Sequence, residues 1–280
     1  MPELIKGLET VKAIRAANAL RMQALQAKGI TPCLAVVRVG ERADDIAYET
    51  GAAKNCKNAG VRFTAVVLPQ TADTQTLVQT VRTLSEDASI SGIMVLRPLP
   101  KTVDEQRVME AIDPDKDVDG ATRANQAGVY AGVKDSFAPC TAEAVVRLLK
   151  YNGIAIAGRE AVVIGRSPVV GRPLAMLMLK ENATVTVCHT KTADLEAVCR
   201  RADLLLVAAG QRAMVDDRFI RPGAGVVDVG IHVDEDGKLC GDVAKTVQQP
   251  AWVTPVPGGV GGVTSALLIE HVLRAAERKL

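Results

Sequence analysis

The sequence predicts an α/β protein of two domains, an N-terminal βαβ-type domain followed by a C-terminal Rossmann-like dinucleotide-binding domain. Three observations predict it. Short apolar runs of strand length alternate with helix-patterned segments along most of the chain, which implies parallel pairing. The stretch Ala161-Val-Val-Ile-Gly-Arg-Ser-Pro-Val-Val-Gly171-Arg-Pro reads as a buried strand, a glycine-bearing turn and a helix start. At 280 residues, the chain is long enough for two cores of ordinary size.

In order, Leu8–Ala27 is rich in Ala, Leu, Arg and Gln at helical spacing and stops before Gly29. Cys33–Val39 is a first buried strand. A helix is expected over residues 44–58, stopped by Gly60, then a strand over 61–68, a helix over 74–84 and a strand over 91–96 that runs into Pro98-Leu-Pro100. Residues 112–120 are acidic and rich in breakers, and read as a loop. A helix over 141–151 links the halves. The second series has strands over 161–165, 184–188, 204–208 and 225–229, with helices running to Glu181 and over 193–201. Residues 254–262 read as a rigid glycine-rich loop, and residues 264–279 as a closing helix.

Bulk properties exclude several classes of partner. A net charge of +2 with mixed signs gives no basic stripe, and only 2% aromatics gives no stacking platform, so nucleic acid is not expected. No apolar run reaches membrane-spanning length and the N-terminus lacks the apolar core of a signal peptide, which predicts a soluble cytoplasmic protein. The six cysteines show no Cys-x-x-Cys pair and suit buried, reduced thiols.

The turn between Gly165 and Gly171 is where a nucleotide phosphate would meet free amides and the positive end of a helix. Its spacing departs from Gly-x-Gly-x-x-Gly, so alone it is weak. The next strand ends in Cys188-His-Thr-Lys191, without the acidic residue that usually meets an unphosphorylated ribose. Thr190, Lys191 and Arg166 suit a 2′-phosphate and favour NADP; capping of the next helix by Thr190 and Lys191 stays open as the alternative. Asp113, Asp115, Asp117 and Asp119 lack the closing Glu of a calcium loop, so no metal is expected. His189 reads as a packing residue, His232 and His271 have no partner legible in sequence, and Trp252 is expected in the core.

Four motifs then spell a family. Gly165-Arg-Ser-x-x-Val-Gly171-x-Pro173, Asn182-Ala-Thr-Val-Thr-Val-Cys-His189, Thr254-Pro-Val-Pro-Gly-Gly-Val-Gly261 and Ile112-Asp-Pro-x-Lys-Asp-Val-Asp-Gly120 resemble the methylenetetrahydrofolate dehydrogenase/cyclohydrolase family, in its order and over essentially the whole chain. The resemblance implies a homodimer of two-domain α/β protomers with a folate cleft between domains, and oxidation of 5,10-methylenetetrahydrofolate with NADP. Residues 1–140 plus 263–280 would form the folate-binding catalytic domain, and residues 141–262 the NADP domain. By the same resemblance Gly165, Arg166, Ser167 and Gly171 hold the cofactor phosphates, Thr190 lies by the ribose phosphate and Ile231 borders the nicotinamide. Tyr48 would lie against the pterin or its one-carbon unit, Asp119 on the pterin's amidine edge, and Pro257, Gly258 and Gly259 in the substrate loop.

The N-terminal half departs from the family. The family's Tyr is followed four residues later by Lys on one helix face, but here Ala52 follows Tyr48. Lys54, six residues on, is about a third of a turn off that face. The family's Val-Gln-Leu-Pro-Leu-Pro reads Val95-Leu-Arg-Pro-Leu-Pro100, so Leu96 replaces the Gln that partners the Lys and Arg97 replaces a Leu; Asp45 stands where Ser is expected. These losses fall on the proton handling that hydrolysis of the methenyl product requires, whereas hydride transfer mainly requires the two rings to be held in register. The expectation is a dehydrogenase with weak or absent cyclohydrolase activity. Three alternatives stay open: a bifunctional enzyme with a rearranged proton relay, a dehydrogenase of another small substrate, and an NADP-binding protein without turnover. Asp45 and Arg97, opposite charges at two altered positions, are expected to pair.

Overall fold

A computed structural model of the protein describes residues 1–278. The first half runs β1 (Glu3–Leu4), α1 (Leu8–Ala27), β2 (Cys33–Val39), α2 (Ala43–Ala59), β3 (Arg62–Leu68), α3 (Thr74–Glu86), β4 (Gly92–Val95), α4 (Glu105–Met109), α5 (Arg123–Ala131) and α6 (Cys140–Tyr151). The second half runs β5 (Glu160–Ile164), α7 (Gly171–Lys180), β6 (Thr184–Cys188), α8 (Leu195–Cys199), β7 (Leu204–Val207), β8 (Gly225–Asp228), β9 (His232–Val233), β10 (Leu239–Cys240), β11 (Trp252–Val253) and α9 (Val260–Glu277). The chain clusters into two units. One comprises Ala13–Gly128, Val133–Cys140 and the chain from Ser265; the other comprises Met1–Lys12, Val129–Gly132 and Thr141–Thr264.

The unit that begins at Ala13 is built on a parallel sheet of order β3-β2-β4. Every residue of β2 is buried because both faces are covered, and the period of two divides them. Leu34 and Val36 pack with Met22, Leu25, Val272 and Leu273 on one face; Cys33, Ala35, Val37 and Val39 pack with Leu77, Val81 and Val95 on the other. Beside β4 the acidic segment is drawn into the sheet. The Ile93 amide donates to the Lys116 carbonyl at 2.7 Å, and Ile93 bridges Asp117 in parallel register. Asp117 is fully buried and accepts from the Ala121 and Thr122 amides, the Thr122 hydroxyl and the Asn125 amide, so its oxygens are spent on the start of α5. Buried His271 on α9 holds the same segment by donating from Nδ1 to the Val118 carbonyl at 2.8 Å.

The other unit carries a six-stranded parallel sheet of order β1-β11-β8-β7-β5-β6. β5, β7 and β8 are apolar and buried, as expected for central parallel strands. β1 and β11 are two-residue strands that only their pairing reveals, and β1 joins residues 1–12 to this sheet. Trp252, expected in the core, is only half-buried: it lies on β11, and its ring covers Gly225, where a Cβ would come within 2.0 Å of it. The closing helix starts at Val260 rather than 264, which shortens the glycine-rich loop, and its expected end at Lys279 lies outside the described residues. All six cysteines are free and buried. Among the described residues no helix is long and apolar enough to cross a membrane.

Candidate active site

In the unit that begins at Ala13, the site residues converge from α2, the end of β4 and the segment before Gly120. The Arg38 guanidinium on β2 donates to Glu49 at 2.8 Å and fixes the rotation of α2 against the sheet. Tyr48, the next residue back, is 38% exposed. Burial of its hydroxyl, reinforced by the charge of Asp119, raises the phenol above its ordinary value, so it remains a neutral O–H donor. Asp119 is itself largely buried. That burial raises its carboxyl above the usual range, against the pull of the adjacent Arg97.

Arg97 and Asp119 form the central contact, Nη2 to Oδ2 at 2.9 Å, with both side chains more than four-fifths buried. The expected Asp45–Arg97 pair does not form. Asp45 lies 3.9 Å from Arg42, one turn away on its own helix, while the β4 bridge brings Asp119 to Arg97 first. Sequence reasoning placed Tyr48 and Asp119 in one site but did not foresee that Arg97 would engage Asp119.

Ala52 and Leu96 are apolar in space as well as in sequence. Ala52 is buried and lines a cavity of about 210 Å³ together with Tyr48, Asn55 and Leu268. Leu96 is buried in the core cluster with Val36 and Val118. Lys54 is exposed, and the Lys116 ammonium donates to the Ser85 and Asp87 carbonyls.

In the other unit the turn after β5 is shaped by close backbone approach. Gly165 has φ +122°, and a Cβ there would come 2.1 Å from the Ala208 carbonyl oxygen; a Cβ on Gly171 would come 2.1 Å from the Gly165 oxygen. Ser167 Oγ accepts from the Val170 and Gly171 amides at 3.1 and 3.4 Å and organises the start of α7. Arg166 is exposed beside it. Thr190 and Lys191 are exposed at the end of β6 and make no side-chain bond among the described residues; Asp194 caps α8, accepting from the Ala197 amide at 3.3 Å. The capping alternative for Thr190 and Lys191 therefore falls. His189 orders the same turn: its Nδ1 accepts from the Lys191 amide at 3.1 Å.

A buried carboxylate network was missed in the sequence. Asp228, at the end of β8, accepts from the amides of Gly230, Asp242 and Val243 at 2.9–3.0 Å, and its own amide donates to Thr254 Oγ1 at 2.8 Å. Burial outweighs those donors and pushes its carboxyl up to about 6. Asp242 in turn pairs with His232 Nε2 at 2.7 Å and accepts from the Gly210 amide. The network fixes the turn that leaves Ile231 64% exposed, and ties β8 to the loop of Pro257, Gly258 and Gly259. That loop is pinned by the Gly7 amide on the Gly258 carbonyl at 2.8 Å, and Gly258 holds φ +105°. The Asp-x-Gly turn was the available signal, since such a carboxylate commonly accepts from the amide two residues on.

Comparison with known proteins adds an independent line. The tetrahydrofolate dehydrogenase/cyclohydrolase family matches twice: its catalytic domain over residues 5–119 and its NAD(P)-binding domain over residues 139–280. The bifunctional protein FolD of Clostridium kluyveri is 44% identical over 280 residues, covering 99% of this chain and 98% of that protein. The crystal structure of the bifunctional enzyme FolD from Campylobacter jejuni superposes with a TM-score of 0.96 at 38% identity, covering all of both chains. The Trypanosoma brucei methylenetetrahydrofolate dehydrogenase-cyclohydrolase, solved with NADP and an inhibitor, gives 0.93 at 34% identity and covers 100% of this chain and 99% of that one.

Proposed function

The chain belongs to the tetrahydrofolate dehydrogenase/cyclohydrolase family, and from that premise we propose that it oxidises 5,10-methylenetetrahydrofolate to the 5,10-methenyl form with NADP, its cyclohydrolase step being weak or lost. The observation that carries the reading is the pair Ala52 and Leu96: no side chain at either position can hold or pass a proton.

The NADP site fits the residues present. A Cβ on Gly165 or Gly171 would meet backbone oxygen, so the turn demands bare backbone, and the start of α7 offers amides to a phosphate. Arg166 and Ser167 flank it, Gly171 opens the helix, and the exposed hydroxyl of Thr190 and ammonium of Lys191 suit a 2′-phosphate. Ile231 gives the nicotinamide an apolar surface. When bound, the cofactor supplies the hydride acceptor. The chain has to hold the folate so that its one-carbon bridge faces that acceptor. Neutral Tyr48 donates from its hydroxyl, Asp119 accepts from the pterin's amidine edge, and Pro257, Gly258 and Gly259 shape the substrate loop. Loss of hydride leaves a resonance-stabilised cation, so this step needs position more than proton transfer. Hydrolysis of that cation needs an activated water, for which Ala52 and Leu96 provide nothing.

The homodimer and the cytoplasmic setting belong to the same reading. The edge strand β3 supports the dimer, since it is open along its length and leaves Val67 49% exposed, an apolar edge that a second copy would cover. The test of the dehydrogenase is formation of reduced cofactor on mixing protein, 5,10-methylenetetrahydrofolate and NADP, with NAD in parallel. Turnover with NADP is expected; absence of a signal with either cofactor refutes the reading.

A further inference from the structure

We propose that Arg97 is a specificity-determining residue: with Asp119 it forms a donor–acceptor pair that reads a lactam edge, the ring N–H to Asp119 Oδ1 and the adjacent ring carbonyl to Arg97. The inference rests on the folate reading for its natural substrate, whose pterin carries such an edge at N3 and C4.

The geometry supplies both halves. The Arg97–Asp119 contact uses one N–H of the guanidinium, Nη2, and one carboxylate oxygen, Oδ2. The other guanidinium N–H groups and Asp119 Oδ1 have no protein partner among the described residues. Both side chains are nevertheless mostly buried, at 17% and 15% exposure. A guanidinium and a carboxylate with free valences, held side by side and mostly shielded by the fold, suit a ligand that offers an acceptor next to a donor. A lactam meets both in one plane, and the planar guanidinium suits a ring edge.

A bare carboxylate at this place would select only for ring N–H and amino donors. It would accept a 2,4-diamino ring as readily as a 2-amino-4-oxo ring. With Arg97 beside it, the 4-amino ring brings a donor against a donor. The cost of leaving a buried donor unpaired makes such discrimination sharp, which is how a polar pocket rejects a mismatched analogue. Burial raises the Asp119 carboxyl, and the Arg97 cation opposes that shift, favouring the ionised form that accepts.

The experiment measures direct binding of 6-methylpterin and 2,4-diamino-6-methylpteridine to the full-length protein by calorimetry, in wild type, Arg97→Leu and Arg97→Lys. Wild type is expected to bind the 4-oxo compound at least tenfold more tightly than the 4-amino compound. Arg97→Leu should abolish or invert that ratio, and Arg97→Lys should restore part of it, because the ammonium keeps one donor. A structural role alone would weaken both ligands together and leave the ratio unchanged. An unchanged ratio in Arg97→Leu overturns the proposal while leaving the folate reading standing. If neither pteridine binds wild type, both fall.

Discussion

Ala52 leaves α2 without a side chain that could carry a proton toward the one-carbon unit, and the cavity of about 210 Å³ beside it is where a longer side chain would extend from Tyr48's helix face. A positioned general acid or base contributes roughly 10²–10⁴-fold to such a step. The double substitution Ala52→Lys with Leu96→Gln is therefore expected to raise the rate of methenyl hydrolysis by at least tenfold, measured from the decay of methenyltetrahydrofolate absorbance. Failure of the double variant to gain any activity would show that these positions are not what limits hydrolysis. Gly171 is a second single-residue point. Because its Cβ would meet backbone oxygen and carbon of Gly165 rather than a flexible side chain, Gly171→Ala has to move the turn itself. NADP affinity should fall by tenfold or more in a calorimetric titration, with a lowered Tm.

At the scale of elements, the end of β8 is a buried charged network whose titration is measurable. Asp228 has its carboxyl pushed up to about 6 by burial, above the value near 4 expected in the unfolded chain. The folded state then binds the proton more tightly, so the Asp228 contribution to stability is greatest below about pH 4 and declines as pH rises through about 6. The change is roughly 3 kcal/mol at most. Urea unfolding of wild type and Asp228→Asn between those pH values isolates it: wild type should lose stability relative to the variant as pH rises. A difference that does not vary with pH would contradict this. The network also explains why Ile231 is a fixed surface, because the Gly230 amide is held by the Asp228 carboxylate while the Asp228 amide donates to Thr254 Oγ1 at the head of the glycine-rich loop.

For the molecule as a whole, the proposed homodimer makes the β3 edge the element to perturb. Val67→Lys places a charge on that open edge, and the variant should sediment as a monomer where wild type sediments as a dimer; dimeric Val67→Lys would assign the interface elsewhere. The strand-helix alternation was legible because central parallel strands are apolar on both faces and end at glycines, so Cys33–Val39 and Glu160–Ile164 stand out in sequence. The two-residue strands were not: Glu3–Leu4 and Trp252–Val253 are strands only through their pairing, and two residues carry no period. Gathering of Tyr48 and Asp119 followed from the family resemblance. The partner of Arg97 did not, since sequence offers several carboxylates and only the bridge from Ile93 to Asp117 decides which one arrives. Leu96 and Ala52 were readable as apolar positions, while the Asp228–Asp242–His232 network joins residues whose contact depends on the fold of the loop between them.

The central claim is the separation of two activities that relatives combine. It is tested most directly by one measurement on the wild-type protein: the rate at which it accelerates methenyltetrahydrofolate hydrolysis, set against its rate of NADP reduction with methylenetetrahydrofolate under the same conditions. Clear NADP reduction is expected, with hydrolysis at or near the uncatalysed rate. Hydrolysis as fast as NADP reduction would contradict it.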